Sequence, residues 1–374
     1  IFGMFDDLLV LAAGRTAFYG PRTSALGHFV GLGLPTLQDG GSLAEYVLDV
    51  TNPDFTEASQ IERILSSWNP KALEDCSNSE LPLTLQRRPL GAQFAILLAR
   101  LGKMTLRDPT LYSARWVFAL LACIAFAYTY LGVVDRTQAQ VIPRIYLLVW
   151  SFGGPAFMSV VVIAMYNLDF HVYVKEVRNG LYSPAAYMLA QMTIMVPCLL
   201  ALSLFALAPL YAIVGYSWEG AFGIWMAHAA IMLFAECLAQ LLGVCFRHFL
   251  MGMVAYVGLS FVQFLQCGAI VSVGSIVWPL RWIHFVDPWN LCLRAMVKFD
   301  FQHAEFGDFG ENGELCQRGP IPCLGRRGAD VLDSLGFALS GFSADIHGWA
   351  NIGIVVGLAL ALKAVQYLVV ARAR

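Results

Sequence analysis

Glu236 is the one acid set well inside a long apolar stretch of this 374-residue chain, in a row with His228 and Gln240. Spacings of eight and four put all three near one face of a helix. A carboxylate in hydrocarbon is costly unless paired or watered, so it must face protein or a cavity. Two uses fit: a polar relay coupled to protons, or an interhelical hydrogen bond that holds a bundle together. One carboxylate makes a poor proton wire, which favours the second. Phosphate chemistry has no foothold, because no Gly-x-x-x-x-Gly-Lys-Ser/Thr loop occurs. These residues can hold a path; they cannot drive one.

The elements that position them are long and apolar. Hydrophobic residues make up 58% of the chain and charged residues 13%, about half the charge of an ordinary soluble domain. Stretches 116–134, 145–168 and 181–218 contain no Asp, Glu, Lys or Arg. A helix needs about 20 such residues to cross a bilayer, where unpaired backbone groups are very expensive. The net charge of −2 carries no nucleic-acid signal. Six spans are expected, at 111–134, 145–168, 185–214, 220–246, 249–274 and 349–371: an all-α polytopic membrane protein.

Residues 1–56 read as a small α/β unit, with a strand at 8–12 turning at Gly14-Arg15 into 16–19 and short helices at 24–31 and 42–50. Residues 57–88, broken by Pro70 and Pro82, read as a linker. The N-terminus opens mid-pattern and is not a signal peptide, so the chain reads as a piece of something longer. Within 89–110, Phe94, Leu97, Leu98 and Leu101 share a helical face, with Arg100, Lys103 and Arg107 off it. That pattern suits an amphipathic helix lying in the headgroup layer.

Those cations, with Lys175, Arg178, Arg247, Arg372 and Arg374, lie on one side of the spans, whereas Arg136 and Arg144 lie on the other. The excess places both termini in the cytosol and the 275–348 loop outside. In that Gly-rich outer loop Cys316 and Cys323 are seven residues apart, in the one compartment that favours a disulfide. No Asn-x-Ser/Thr acceptor occurs. Trp278, Trp282 and Trp289 read as anchors at the outer interface.

Several stretches resemble the G subfamily (White/Brown type) of ABC transporters. Phe5-Asp6-Asp7-Leu8-Leu9-Val10-Leu11, Gly14-Arg15 and Tyr19-Gly20-Pro21 look like the tail of its nucleotide-binding domain. Ala44-Glu45-Tyr46-Val47-Leu48-Asp49 is similar to its Ala-Asp-Phe-x-x-Asp element, and Gln93-Phe94, Arg100, Arg107-Asp108-Pro109 and Arg115 resemble its connecting helix and the entry to its first span. Lys175-Glu176, Gly180, Tyr182, Tyr187, Leu189-Ala190 and Pro197 follow its cytosolic elbow between spans two and three. Pro279-Leu280-Arg281-Trp282, Phe285, Pro288 and Phe299-Asp300-Phe301 resemble its re-entrant outer segment. Gln191 and Met195 depart from it, standing where the family commonly has Lys and an acid.

The resemblance implies a type-2 exporter membrane domain over 111–374, driven by ATP and Mg bound in a nucleotide-binding domain elsewhere. It implies that Lys175, Glu176, Arg178 and Gly180 couple to that domain. It also implies a substrate cavity between two copies of spans two and five, with Phe157 as an aromatic clamp and Ala269 and Ile270 as an apolar plug. Trp150, two helical turns before Phe157 and about 11 Å away, and Gln263, Phe264 and Gln266 would line the same path. Gly153-Gly154-Pro155 would loosen span two. The expected partners are the bilayer, a second half-transporter, identical or different, and a lipid, sterol or other hydrophobic solute; the expected site is the plasma membrane or a secretory-route membrane. The rival readings are a non-transporting scaffold and an ATP-independent channel or carrier. A channel predicts a charged or carbonyl-rich pore ring, and a carrier an inverted repeat; the sequence shows neither.

Overall fold

The computed structural model describes residues 2, 5–37, 41–68, 88–108, 112–271, 273–278, 280–307, 324–339 and 347–372, the last four of 324–339 by backbone alone. Cys76, Cys316, Cys323, Pro109 and Pro279 lie outside them. The chain divides into two compact units, Ile1–Thr84 and Leu85–Arg374.

In the first unit, β1 (Asp7–Ala12) pairs antiparallel with β2 (Arg15–Pro21) across a turn at Ala13-Gly14, where φ is +51° and +74°. Glycine meets that left-handed demand without strain. Helices α1 (Arg22–Gly31), α2 (Leu43–Thr51) and α3 (Ala58–Ser67) cover the hairpin. Phe18, Phe29, Val47, Val50, Ile64 and Leu65 form its core.

The second unit is helical: α4 (Leu90–Arg107), α5 (Ser113–Thr129), α6 (Val141–Phe157), α7 (Val160–Arg178), α8 (Pro184–Pro209), α9 (Ala221–Cys245), α10 (Phe249–Gln266), α11 (Arg281–Val286), α12 (Pro288–Phe301), α13 (Gly328–Leu339) and α14 (Gly348–Arg372). Among the described residues, five stretches are long and apolar enough to cross a membrane: Gln138–Arg178, Pro184–Val214, Ala221–Cys245, Phe249–Gln266 and Gly348–Arg372. Helix α5 is equally apolar but only 17 residues long.

Local chemistry sets several boundaries. Ser183 accepts from Ala186 N at 3.3 Å and Asp287 from Asn290 N at 3.1 Å, each cap followed by proline at the first helical position. Helix α7 stops at Gly180, φ +74°, with Gly180 N on Val177 O and Leu181 N on Glu176 O. Lys175, Glu176 and Arg178 are therefore the last turn of a helix rather than a loop. Helix α10 ends at Gln266, short of the expected 274, and leaves Cys267–Ile270 non-helical.

Pro155 lies inside α6 and cannot donate to Ser151 O. In hydrocarbon that carbonyl needs another partner, and His228 Nε2 supplies it at 3.2 Å. A carbonyl only accepts, so Nε2 carries the proton. A two-residue turn, Met158–Ser159, then separates α6 from α7. Tyr256 OH donates to Ala156 O at 2.6 Å and stitches that break to α10.

Helix α9 is the central post. Sixteen of its residues are buried, His228, Glu236 and Gln240 among them, as expected of a helix that is apolar all round. Helix α10 is the opposite case: only Gly252, Tyr256 and Ser260 are buried, one stripe at i, i+4 and i+8. The apolar stripe of α4 does not face lipid alone. Leu97 is buried, and Phe94, Leu98 and Leu101 pack with it against Tyr173, Tyr182, Tyr187 and Ala190.

Candidate functional site

Three side chains singled out in the sequence meet. The ring centroid of Phe264 on α10 lies 5.4 Å from Trp150 and 6.2 Å from Phe157, both on α6. Trp289 on α12 joins them, 5.4 Å from Phe157, 5.9 Å from Phe264 and 5.3 Å from Phe152, and Phe126 flanks Trp150 at 5.7 Å. These are ordinary edge-on and tilted aromatic separations. Trp289 is 1% exposed, which corrects its reading as an interface anchor; Trp278 and Trp282 are exposed. Gly153 makes room for Trp289, since a Cβ there would lie 3.3 Å from the indole. The glycine thus serves close packing, and the break in the helix follows Pro155. Nothing in the bare pattern of aromatics distinguished Trp289, because only the turn after α11 aims it inward.

Gln263 and Gln266 are half-buried on α10, and the Gln266 carbonyl accepts from His284 Nδ1 at 2.7 Å. Beyond the helix end, Gly268 takes φ +88°, Ala269 is buried and Ile270 is exposed. The structure places these residues along one segment and assigns them no ligand.

At the other end of the bundle, Glu176 accepts from Arg100 Nη1 at 2.8 Å on both oxygens and from Tyr182 OH at 2.6 Å. Burial, then the hydrogen bond it donates to Glu176, pushes the Tyr182 phenol up from its ordinary value, so it stays a donor. Gln93 Oε1 accepts from Ser183 N at 2.8 Å, and Gln93 Nε2 donates to Arg88 O at 2.6 Å. Tyr173, Tyr182 and Tyr187 stack within 4.8–6.2 Å of one another. Helix α4 and the α7–α8 turn are thereby fastened together. Glu176 is spoken for inside the unit, while Lys175 and Arg178 are exposed and form no ion pair among the described residues.

Within the apolar bundle, Glu236 Oε2 accepts from Arg115 Nη1 at 2.9 Å, and Arg115 Nη2 also donates to Ser159 at 2.9 Å. Gln240 Oε1 accepts from Lys363 on α14, and Gln240 Nε2 contacts Met195 Sδ at 3.3 Å. His228, Glu236 and Gln240 thus bond α6, α5 and α14 respectively, and they are not linked to one another. The geometry is that of interhelical hydrogen bonds, not of a relay. Tyr166 OH bridges the two glutamines, donating to Gln191 at 3.2 Å and accepting from Gln366 at 2.8 Å.

A second buried pair was missed. Arg144 Nε and Nη2 grip Asp300 at 2.6 and 3.0 Å, Ser217 N donates to the same carboxylate at 3.2 Å, and Arg144 sits 4.5 Å over the Tyr216 ring. Arg144 is 1% exposed and so is not the free loop cation the charge asymmetry took it for. Lys363 was likewise passed over. The available signal was an ionisable residue inside an apolar run, which calls for a partner. No cluster of His, Cys, Asp or Glu among the described residues could hold a metal.

Residues 92–301 match the family model described as ABC-2 type transporter. The chain is 22% identical to Protein scarlet of Drosophila melanogaster, over 96% of this chain and 55% of that protein. It is 23% identical to ABC transporter G family member 1 of Petunia hybrida, over 84% of this chain and 53% of that one. It is 22% identical to Protein white of Drosophila melanogaster, over 97% and 55%. The chain spans about half the length of these curated relatives. Its similarity to the G-type, White/Brown proteins is distant and covers most of its length, and the chain belongs to the ABC-2 type transporter family.

Proposed function

We propose that this chain is the membrane domain of an ATP-driven exporter of the G type, working as a half-transporter. Six spans, with α5 as the first, would place both termini in the cytosol, and the α11–α12 segment would re-enter the membrane from outside. The observation that carries this reading is the clamp of Arg100 and Tyr182 on Glu176. It joins the helix ahead of the bundle to the turn between α7 and α8, so a push on either moves both. Exposed Lys175 and Arg178 in the last helical turn of α7 would meet a nucleotide-binding domain, where ATP and Mg would act.

A second copy, or a related half-transporter, would cover the open stripe of α10, with its exposed Leu250, Val254 and Phe261. The aromatic group of Trp150, Phe157 and Phe264, with Gln263, Gln266, Ala269 and Ile270 along the same helix end, would then border a path for lipids, sterols or hydrophobic small molecules. Cys316 and Cys323 would form an outer disulfide.

The test is export from vesicles by this chain joined to a nucleotide-binding domain. ATP-dependent flux of a lipid-like solute is expected, and Lys175→Glu with Arg178→Glu should abolish it while ATP binding persists. A folded, dimeric protein that moves no such solute would sink the proposal.

A further inference from the structure

Trp289 is the largest fully buried side chain among the described residues, 1% exposed. Yet it belongs to α12, not to α6 or α10, whose aromatics it touches. Its indole meets the rings of Phe152, Phe157 and Phe264 at interplanar angles of 69°, 65° and 77°, an edge-to-face fit on all three. Phe157 and Phe264, like Trp150 beside them, are only half-buried. A ring that rests on a fully buried indole and is still partly open has its open side turned away from that indole. Trp289 is therefore the backing of this aromatic wall and not its surface.

The backbone that carries the indole is held by bonds of its own. Pro288 opens α12, and Asp287 Oδ2 caps it by accepting from Asn290 N. Asn290 Nδ2 donates to His284 O at 2.7 Å, and His284 Nδ1 donates to Gln266 O at 2.7 Å. These bonds tie the start of α12 to α11 and to the end of α10. Glycine clears the way at two places. A Cβ on Gly153 would lie 3.3 Å from the indole, and one on Gly268 would lie 3.1 Å from the His284 ring. A side chain so enclosed passes its bulk straight to its neighbours, because close-packed interiors give way little.

We propose that Trp289 sets how far back the wall of Phe157 and Phe264 stands, and thereby the girth of the solute that passes it. The inference rests on the exporter reading above, with Trp289 as a positioning residue that touches no solute. With a smaller side chain at this position, the two phenyl rings tip back into the vacated space, and rounder solutes fit. A planar solute needs less depth and gains little.

The test uses the full chain joined to a nucleotide-binding domain, in nanodiscs, with ATP hydrolysis stimulated by naphthalenemethanol or by adamantanemethanol. The two alcohols share a polar group and differ in shape, one planar and one globular. Trp289→Leu should lower the half-stimulating concentration of adamantanemethanol relative to naphthalenemethanol by about tenfold, with maximal rates changed alike for both. Trp289→Phe keeps a ring in the site and should move the ratio the same way by less; it serves alone should the Leu protein not fold. An indole that only holds the fold together predicts equal loss with both alcohols. A ratio left unmoved in the folded variant proteins would overturn the inference and leave the exporter reading standing. An unaltered protein that responds to neither alcohol would overturn both.

Discussion

The Arg100–Glu176 pair and the Arg144–Asp300 pair use the same chemistry at opposite ends of the bundle. Their side chains are 43% and 20% exposed in the first and 1% and 0% in the second. Exposure changes what the pair is for. Near water, charges are screened and a broken pair is resolvated cheaply, so opening the Glu176 clamp costs little. In the buried pair, removing one partner strands the other charge in a medium that cannot solvate it. That pair fixes α6 to α12 and is built to stay shut. Arg115–Glu236, at 5% and 1% exposure, resembles the second type, except that Glu236 keeps one oxygen free.

The contrast breaks first at Asp300. Asp300→Ala should cost about 3–5 kcal/mol, read as a lowered unfolding temperature in detergent or failure to purify as a monodisperse species. Arg144→Met with Asp300→Leu should recover most of that loss; no recovery would mean the pair does more than neutralise itself. Glu236→Gln leaves Arg115 buried without its counter-charge but keeps an acceptor in place and should fall at the low end of that range, about 3 kcal/mol. Breaking His228 sharpens the scale further. His228→Leu leaves Ser151 O only the weak Cys123 thiol donor at 3.7 Å, and the expected loss is about 1 kcal/mol, in line with hydrogen bonds between membrane helices. At the exposed end, Arg100→Gln should change stability by less than about 1 kcal/mol yet reduce ATP-dependent export. A large stability loss with normal export would reverse the division between the two ends.

Much of the architecture was legible. Runs without charge marked the apolar helices, because the price of a bare backbone in lipid leaves few alternatives. The hairpin at 7–21 announced itself by Gly14 between two short apolar strands, and the elbow by Lys175, Glu176 and Gly180 between two long apolar runs. Phe157, Trp150 and Phe264 were picked as one surface and do meet. Trp289, Arg144, Asp300 and Lys363 were not read correctly. Trp289 and Arg144 were assigned to interface and loop by position in sequence, and Asp300 was noted only as part of a resemblance.

The reason is one of range. Spacing along a helix tells which residues share a face, so His228, Glu236 and Gln240 could be grouped from the sequence alone. It cannot tell which helix that face meets. Arg115 lies 121 residues from Glu236, Arg144 156 from Asp300 and Lys363 123 from Gln240. Composition determined the solvent this chain requires and the helices that solvent permits; only the packed bundle decided where each buried charge would find its counterpart.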